Sequence, residues 1–271
     1  MEGSMRLGSI GAGHMGGAIL QAVLDTGLFT PQRVHISSPV PSELEPYAKR
    51  GCRTNRDNVE TARNADLILL AVRPHQIQDV LKEIAAETEW KCVLSIAAGV
   101  TVASIKESLP NSVAVLRAMP NLPLAYGSGA TVMAIPGRDV PNRFFDMTVN
   151  MFKSAGKVVY LKEELINAAT ALGGSAVAYF FRMASVMAGW AEQNGIHPYE
   201  ALQIINQSMA GASEMLTRSE KTPSELASGV AVPGGTTEAA FQAFDQAGFD
   251  EALIAGMNAC RDRGIELVSS S

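Results

Sequence analysis

Cysteine and histidine are scarce in this 271-residue chain, which has three of the first and four of the second. Cys52, Cys92 and Cys260 lie far apart and form no C-x-x-C pair. The sequence therefore predicts neither a zinc site nor a disulfide framework. Widely spaced cysteines are instead typical of buried thiols in a reducing cytoplasm. The histidines show no metal-ligand spacing, so we expect no metal.

The chain also lacks an excess of positive charge, because it has 22 Lys and Arg and 27 Asp and Glu, which gives a formal net charge of -5. Nucleic acids and anionic membranes are bound by clustered Lys and Arg, so the composition excludes both as expected partners. The sequence also lacks a secretory signal pattern and any run of about 18 consecutive apolar residues. We therefore expect a cytoplasmic protein.

Short apolar runs alternate with amphipathic stretches over residues 5–160. Five runs predict strands, at residues 7–11, 34–38, 67–72, 93–98 and 113–118. Four helical patterns lie between them, at residues 15–26, 42–50, 76–87 and 102–108. Near-continuous apolar strands such as "DLILLAV" are typical of parallel strands covered on both faces. The alternation predicts an α/β Rossmann-type domain with a doubly wound sheet.

Strand-like runs disappear after about Val159, and residues 161–271 predict an all-α domain. The segment from Ser175 to Ala191 is hydrophobic all round, which requires burial on every side. The same segment of a second subunit is the favoured cover, although a central helix wrapped by its own chain remains an alternative. The sequence thus predicts a homodimer through the C-terminal helical domain, with further assembly left open.

The stretch "RLGSIGAGHMGGAIL" places Gly11, Gly13 and Gly16 in G-x-G-x-x-G spacing between a predicted strand and a predicted helix. The first two glycines permit a turn and the close approach of a pyrophosphate, while the third lets helix and strand pack tightly. Free amides at the helix N-terminus bind phosphate. We predict dinucleotide binding here, with a contact from His14 left open.

The second predicted strand ends in "HISSPVPS", with Ser37 and Ser38 and no acid. NAD-binding Rossmann domains carry an Asp or Glu at this point for the ribose hydroxyls, whereas hydroxyl groups can donate to a 2′-phosphate. The sequence therefore favours NADPH. NADH stays open, because no adjacent Arg strengthens the case.

A second glycine-rich stretch, "AVPGGTTEAAF", lies in the helical half. Pro233 and two glycines precede Thr236 and Thr237 at the start of a predicted helix. Amides and hydroxyls at a helix N-terminus suit a carboxylate. A capping turn, with Thr236 or Thr237 as the N-cap, is the alternative. No pattern typical of a general acid or base accompanies either glycine-rich stretch.

The motifs, in order, resemble the pyrroline-5-carboxylate reductases over nearly the whole chain; they are "IGAGHMGGAI", "ISSP", "LLAVRPHQ", "SIAAGVT", "RAMPNLP", "GGSAVAYFF" and "VPGGTTEAAFQAFDQAG". The resemblance implies a Rossmann domain and a helical dimerisation domain with substrate bound between them. It implies reduction of the C=N bond of Δ1-pyrroline-5-carboxylate to L-proline by NADPH or NADH, the last step of proline biosynthesis. A protonated cyclic imine accepts hydride without a protein acid, which is consistent with the missing acid–base pattern.

The resemblance also implies the residues of the site. The cofactor-binding residues are Gly11, Ala12, Gly13, His14, Met15, Ser37, Ser38, Asn58, Ala71, Val72, Arg73, Pro74, Ala97, Ala98, Gly99, Met119 and Asn121. The substrate-binding residues are Ser175, Gly234, Gly235, Thr236 and Thr237. Thr237 is also implied as the catalytic residue, near the ring nitrogen, with the partner subunit completing the pocket.

The chain departs from the family's usual pattern at five positions, which are Ala176, Val177, Ala227, Ser228 and Val232. These departures leave open a related cyclic imine as substrate, or a non-catalytic NADP-binding sensor. The β-hydroxyacid dehydrogenases share the opening G-x-G-x-M-G motif. Their chemistry needs a Lys four residues before an Asn on the helix that follows Lys162, and this sequence has none there.

Overall fold

The computed structural model describes residues 5–269. An eight-stranded sheet with the strand order β3-β2-β1-β4-β5-β6-β7-β8 organises the first part of the chain. Its strands are β1 (Leu7–Ile10), β2 (Val34–Ser37), β3 (Arg53–Asn55), β4 (Leu67–Leu70), β5 (Cys92–Ser95), β6 (Ala114–Met119), β7 (Gly129–Ala134) and β8 (Gly156–Leu161). The order of the first six strands is that of a Rossmann domain, as the sequence predicts.

Strands β1 to β6 run parallel, and β7 is antiparallel to β6 but parallel to β8. The register sets Ile10 beside both Ser37 and Leu70, and Leu70 beside Ser95. The carboxyl ends of β1, β2, β4 and β5 therefore meet at one edge of the sheet. Ligands of open α/β sheets bind at this edge.

The helices of the first part are α1 (His14–Asp25), α2 (Pro41–Lys49), α3 (Asn58–Arg63), α4 (Ile77–Ile84), α5 (Val102–Glu107) and α6 (Asn142–Lys153). Successive residues of β4 face different apolar clusters. Leu67 and Leu69 lie in one cluster, whereas Ile68 and Leu70 lie in the other. Because side chains alternate across a strand, the sheet is covered on both faces, which confirms the doubly wound architecture.

The five predicted strands correspond to β1, β2, β4, β5 and β6. The sequence did not predict β3, β7 and β8, nor α3 and α6. Strand β3 is only three residues long and lies at the edge of the sheet, and none of its residues is fully buried. So short a segment shows no clear period of two, and it is defined by pairing with β2.

The C-terminal part is helical, as predicted. Its helices are α7 (Ile166–Leu172), α8 (Ala176–Gln193), α9 (Pro198–Arg218), α10 (Pro223–Val230), α11 (Thr236–Gln246) and α12 (Phe249–Ser269). The chain forms two compact units. The first contains the described residues up to Ser175 together with those from Asn258 onward, and the second is Ala176–Met257.

Helix α8 is largely uncovered in the single chain, where only Ala191 among its residues is buried. Phe181, Val186 and Trp190 are 68%, 67% and 63% exposed. The alternative of a central helix wrapped by its own chain is therefore wrong. Apolar surface of this extent needs a cover that the single chain does not supply.

One stretch of the described residues, Glu163–Gln193, is long and apolar enough to cross a membrane by length and composition alone. The criterion of about 18 consecutive apolar residues does not identify this stretch, because polar and small residues are spread along it. Only 6% of its most apolar window is buried in the single chain. The turn at residues 173–175 separates α7 from α8 within it.

Candidate functional site

The glycine-rich loop lies between β1 and α1, at the carboxyl edge of the sheet. Gly11 has a φ of +98°, and a Cβ there would lie 2.5 Å from the carbonyl oxygen of Ala71. A Cβ on Gly16 would lie 2.8 Å from the Cβ of Ala71. Gly11 is thus required for its backbone conformation and for the close approach of the loop to Ala71. Gly16 is required for the packing of α1 against Ala71, the residue that follows β4.

The N-terminus of α1 is open among the described residues. Gly13 is the N-cap in extended conformation, no side chain caps the terminus, and the first turn contains no acid. Uncapped amides and the positive end of the helix dipole form a cradle for a phosphate group. The loop therefore fits the pyrophosphate of a dinucleotide, and the exposed His14 is the first residue of α1.

Ser37 and Ser38, at the end of β2, are both buried. The Oγ of Ser37 donates to Oδ1 of Asn58 over 2.8 Å, and the Nδ2 of Asn58 donates to Oε2 of Glu83 over 2.8 Å. The Oγ of Ser38 donates to Oε2 of Glu43 over 2.6 Å. The structure thus brings the two serines and Asn58 together as the resemblance implies, and it adds two carboxylates that sequence reasoning missed.

Two further loops leave the same edge of the sheet. Residues 71–74 follow β4, and the amide of Arg73 donates to Oε1 of Gln76 over 3.1 Å at the start of a short 3-10 helix. Residues 97–99 follow β5. Gly99 has a φ of +76°, and a Cβ there would lie 2.8 Å from the Cβ of Leu267 on α12. Both loops therefore lie at the edge of the sheet from which the glycine-rich loop also leaves.

Asn121 holds together the segment beyond β6 and the turn before α8. Its Nδ2 donates to the carbonyl oxygen of Gly173 over 3.1 Å, and its Oδ1 accepts from the amide of Ala130 over 2.8 Å. A Cβ on Gly174 would lie 3.9 Å from Cγ of Met119. Met119, Asn121 and the 173–175 turn are therefore neighbours.

Ser175 closes that turn, with its amide donating to the carbonyl oxygen of Thr170 over 2.8 Å. Its Oγ lies 3.2 Å from Sγ of Cys260 on α12. The hydroxyl proposed for substrate contact is thus placed beside a half-buried thiol.

The "VPGGTT" segment lies in the second unit, where it begins α11. Gly235 is the N-cap, and Thr236 and Thr237 already belong to the helix, so neither threonine caps it. The capping alternative is therefore wrong. Gly234 has a φ of +74°, and its amide donates to Oε2 of Glu238 over 2.8 Å. Thr236 is exposed and Thr237 is half-buried.

Arg117, on β6, is a buried cation that sequence reasoning missed. It is 2% exposed, and its Nη1 lies 3.1 Å from Oε1 of Glu163. Burial lowers the pKa of Arg117, while the hydrogen bond and charge of Glu163 oppose this shift. An arginine in a buried strand is a signal for a paired acid, but the sequence does not show which acid.

Groups that could perform acid–base or metal chemistry are few. Burial, with the charges of Arg53 and Arg6, lowers the pKa of His35, which lies on β2. Within residues 5–269, no three His, Cys, Asp or Glu side chains come together as a metal site. The first unit therefore offers a cradle for a dinucleotide, and the reaction that such a cofactor carries out is hydride transfer.

The fold and the cradle define a dinucleotide-dependent oxidoreductase. Residues 6–99 match the family model "NADP oxidoreductase coenzyme F420-dependent", and residues 163–267 match "Pyrroline-5-carboxylate reductase dimerisation". The chain belongs to the pyrroline-5-carboxylate reductase family. Its helical part is therefore the dimerisation domain of that family, and the uncovered face of α8 lies within it.

Individual relatives support this assignment across the chain. The chain is 35% identical to pyrroline-5-carboxylate reductase 3 of Xenopus laevis over 265 residues, which cover 97% of this chain and 96% of the relative. A solved pyrroline-5-carboxylate reductase structure from Coxiella burnetii has a TM-score of 0.86 at 30% identity, covering 97% and 98% of the two chains. A Plasmodium falciparum pyrroline carboxylate reductase with NADP bound shares the fold, with a TM-score of 0.91 at 21% identity, covering 99% and 100%.

Proposed function

We propose that this protein reduces the C=N bond of Δ1-pyrroline-5-carboxylate to L-proline with NADPH or NADH, as the last step of proline biosynthesis. The observation that carries the proposal is the similarity to pyrroline-5-carboxylate reductases over 97% of the chain. The glycine loop supports it independently, because an uncapped helix terminus at the carboxyl edge of a Rossmann sheet fits a dinucleotide.

Residues 5–160 are the cofactor-binding domain in this proposal, and residues 161–271 are the dimerisation and substrate domain. The amides of residues 11–15 hold the pyrophosphate, and the ends of β2, β4 and β5 bind the adenosine and ribose portions. Met119 borders the nicotinamide. Asn121 contributes by fixing the 173–175 turn, because its side-chain Nδ2 and Oδ1 both form hydrogen bonds with backbone groups.

Residues 234–237 bind the substrate carboxylate in this proposal. The positive φ of Gly234 and the extended Gly235 set the first amides of α11 at the helix terminus, and in this proposal the substrate carboxylate takes the place of Glu238 at the amide of Gly234. The half-buried Thr237 supplies a hydroxyl close to the ring nitrogen in this proposal.

When bound, the dinucleotide supplies a hydride. The imine nitrogen is protonated from water, the hydride adds to the iminium carbon, and the C=N π electrons become the nitrogen lone pair. One imine, one proton and one reduced dinucleotide thus yield one proline and one oxidised dinucleotide. The chain's residues position the reactants and exclude water, so the absence of an acid–base pattern is consistent with this chemistry.

A second copy of the chain covers α8 in this proposal, and the protein is a cytoplasmic homodimer. The dimerisation match spans residues 163–267, which include the whole of the stretch that is apolar enough for a membrane. Burial against a second copy therefore accounts for the apolar residues of α8 without a bilayer.

The test is turnover of purified protein with Δ1-pyrroline-5-carboxylate, followed by dinucleotide absorbance with each cofactor in turn. We expect oxidation of the cofactor and formation of proline. Turnover only with a six-membered cyclic imine would overturn the substrate assignment. Tight dinucleotide binding without turnover of either imine would favour the non-catalytic sensor.

A further inference from the structure

The serines from which the sequence favours NADPH are engaged elsewhere in the structure. Ser37 is 1% exposed and Ser38 is 2% exposed. Each hydroxyl has one proton, and those protons are donated to Asn58 and Glu43. The Oγ of Ser38 also accepts the amide of Val40 over 3.2 Å. Neither hydroxyl therefore has a proton to donate to a 2′-phosphate while these bonds are kept.

A carboxylate lies where the sequence shows no acid. Glu43 is in the first turn of α2, five residues after Ser38, and its Oε2 receives the hydroxyl proton of Ser38. Its other oxygen, Oε1, would lie 3.6 Å from a Cβ built on Gly13. The half-buried carboxylate of Glu43 therefore lies between the end of β2 and the glycine loop.

Two carboxylates, those of Glu43 and Glu83, lie near the end of β2, and the exposed Arg56 directly follows Asn55, whose carbonyl oxygen accepts the amide of Ser38. Glu83 receives a hydrogen bond from Asn58, the partner of Ser37. Within the described part of the chain, no lysine, arginine or histidine forms an ion pair with Glu43 or Glu83. A 2′-phosphate dianion placed here meets carboxylate charge without a paired cation, whereas a ribose diol can donate hydrogen bonds to Glu43.

The N-terminus of α2 does not offset this charge. Pro41 occupies its first turn and lacks an amide proton, and Glu43 already places an acid in that turn. The dipole of α2 thus faces an internal carboxylate rather than an open anion site.

We propose that Glu43 is the ribose-binding acid of this protein and selects NADH over NADPH. The inference rests on the proposed function, because it concerns the cofactor of that reaction. In NAD-binding Rossmann domains the acid stands at the end of the second strand, whereas here it reaches the same place from the following helix.

The test measures dissociation constants of NADH and NADPH by quenching of protein fluorescence, which does not depend on turnover. The variants are Glu43→Gln, which keeps the shape and removes the charge, and Glu43→Ala, which removes the side chain. Glu45→Gln is the matched control, because Glu45 lies on the same helix and its ion pair with Lys49 is exposed. Circular dichroism confirms that each variant is folded.

We expect the unmodified protein to bind NADH about tenfold more tightly than NADPH, and Glu43→Gln to lower that ratio by about tenfold. Glu43→Ala should lower it similarly, and Glu45→Gln should leave it unchanged. Tighter binding of NADPH by the unmodified protein, or a ratio insensitive to both Glu43 variants, would overturn the inference while leaving imine reduction intact. Failure to bind either dinucleotide would overturn the inference and the proposed function together.

Discussion

The carboxylate of Glu163 holds the buried guanidinium of Arg117, with Oε1 lying 3.1 Å from Nη1. The same oxygen accepts the amide of Val102 over 2.7 Å at the start of α5. One carboxylate atom thus joins β6, α5 and the segment that follows β8. The chain leaves the sheet for its helical part at this point.

Glu163→Ala should lower the free energy of unfolding by about 3 kcal/mol, because it leaves the buried guanidinium of Arg117 without its paired carboxylate and the amide of Val102 without its acceptor. Urea denaturation measures the change. Glu164→Ala is the control, since Glu164 is exposed and lies 3.9 Å from Lys162. That substitution should change the stability by less than about 0.5 kcal/mol. Equal effects of the two variants would contradict the role given to Glu163.

Gly11→Ala should destabilise the protein and weaken dinucleotide binding by about tenfold or more. The new Cβ combines a left-handed φ of +98° with a 2.5 Å approach to the Ala71 carbonyl, so the loop must move. Gly27→Ala is the matched control, because Gly27 has a φ of +69° with nothing within 4 Å of its Cβ position. It should cost about 1–2 kcal/mol and leave binding unchanged. Titration of dinucleotide into each variant separates the two effects.

Trp190→Glu should convert the dimer to monomer, because it places a charge on the apolar face of α8 that a second copy covers in the proposed dimer. Sedimentation velocity measures the assembly state. The chain has two tryptophans, and the other, Trp90, is 76% exposed in the first unit, so Trp90→Glu is a matched control. A dimer that survives Trp190→Glu, or dissociates with Trp90→Glu, would show that the interface lies elsewhere.

Most of the Rossmann domain follows from the sequence, because its parallel strands are buried on both faces and read as apolar runs. Strands β7 and β8 do not, since neither is buried along its whole length, and along β8 exposed residues alternate with half-buried ones. Helix α6 buries Phe144, Met147, Met151 and Phe152, but it follows a loop whose Pro and Gly residues obscured its start. Local periodicity identifies elements that are buried on both sides better than elements at the margin of the sheet.

The sequence predicts those parts of the candidate site in which a single continuous motif determines the geometry, as in the glycine-rich loop. The sequence does not predict those parts in which tertiary packing determines the hydrogen-bonding partner of a side chain. The sequence shows Ser38 and Glu43 as separate residues, and only the docking of α2 beside β2 brings the carboxylate to the hydroxyl. The pairing of Arg117 with Glu163, 46 residues apart, likewise depends on the fold.

Thr237→Ala should lower kcat for imine reduction by about a hundredfold, because one positioned donor to the reacting centre contributes about 10²–10³ in rate. Dinucleotide affinity should stay unchanged. Thr237→Ser keeps the hydroxyl and should retain most of the activity, which a purely steric role for the threonine methyl group would not produce. Loss of cofactor binding in Thr237→Ala would instead indicate a role in the cofactor site.

Isotope transfer from the cofactor to the product tests imine reduction most directly. Purified protein is incubated with Δ1-pyrroline-5-carboxylate and NADH or NADPH carrying deuterium on both positions of the nicotinamide C4, and the product is examined by mass spectrometry and chiral chromatography. We predict L-proline that is one mass unit heavier, with the deuterium on the former imine carbon. Unlabelled proline, or no proline at all with either cofactor bound, would contradict the proposed reaction.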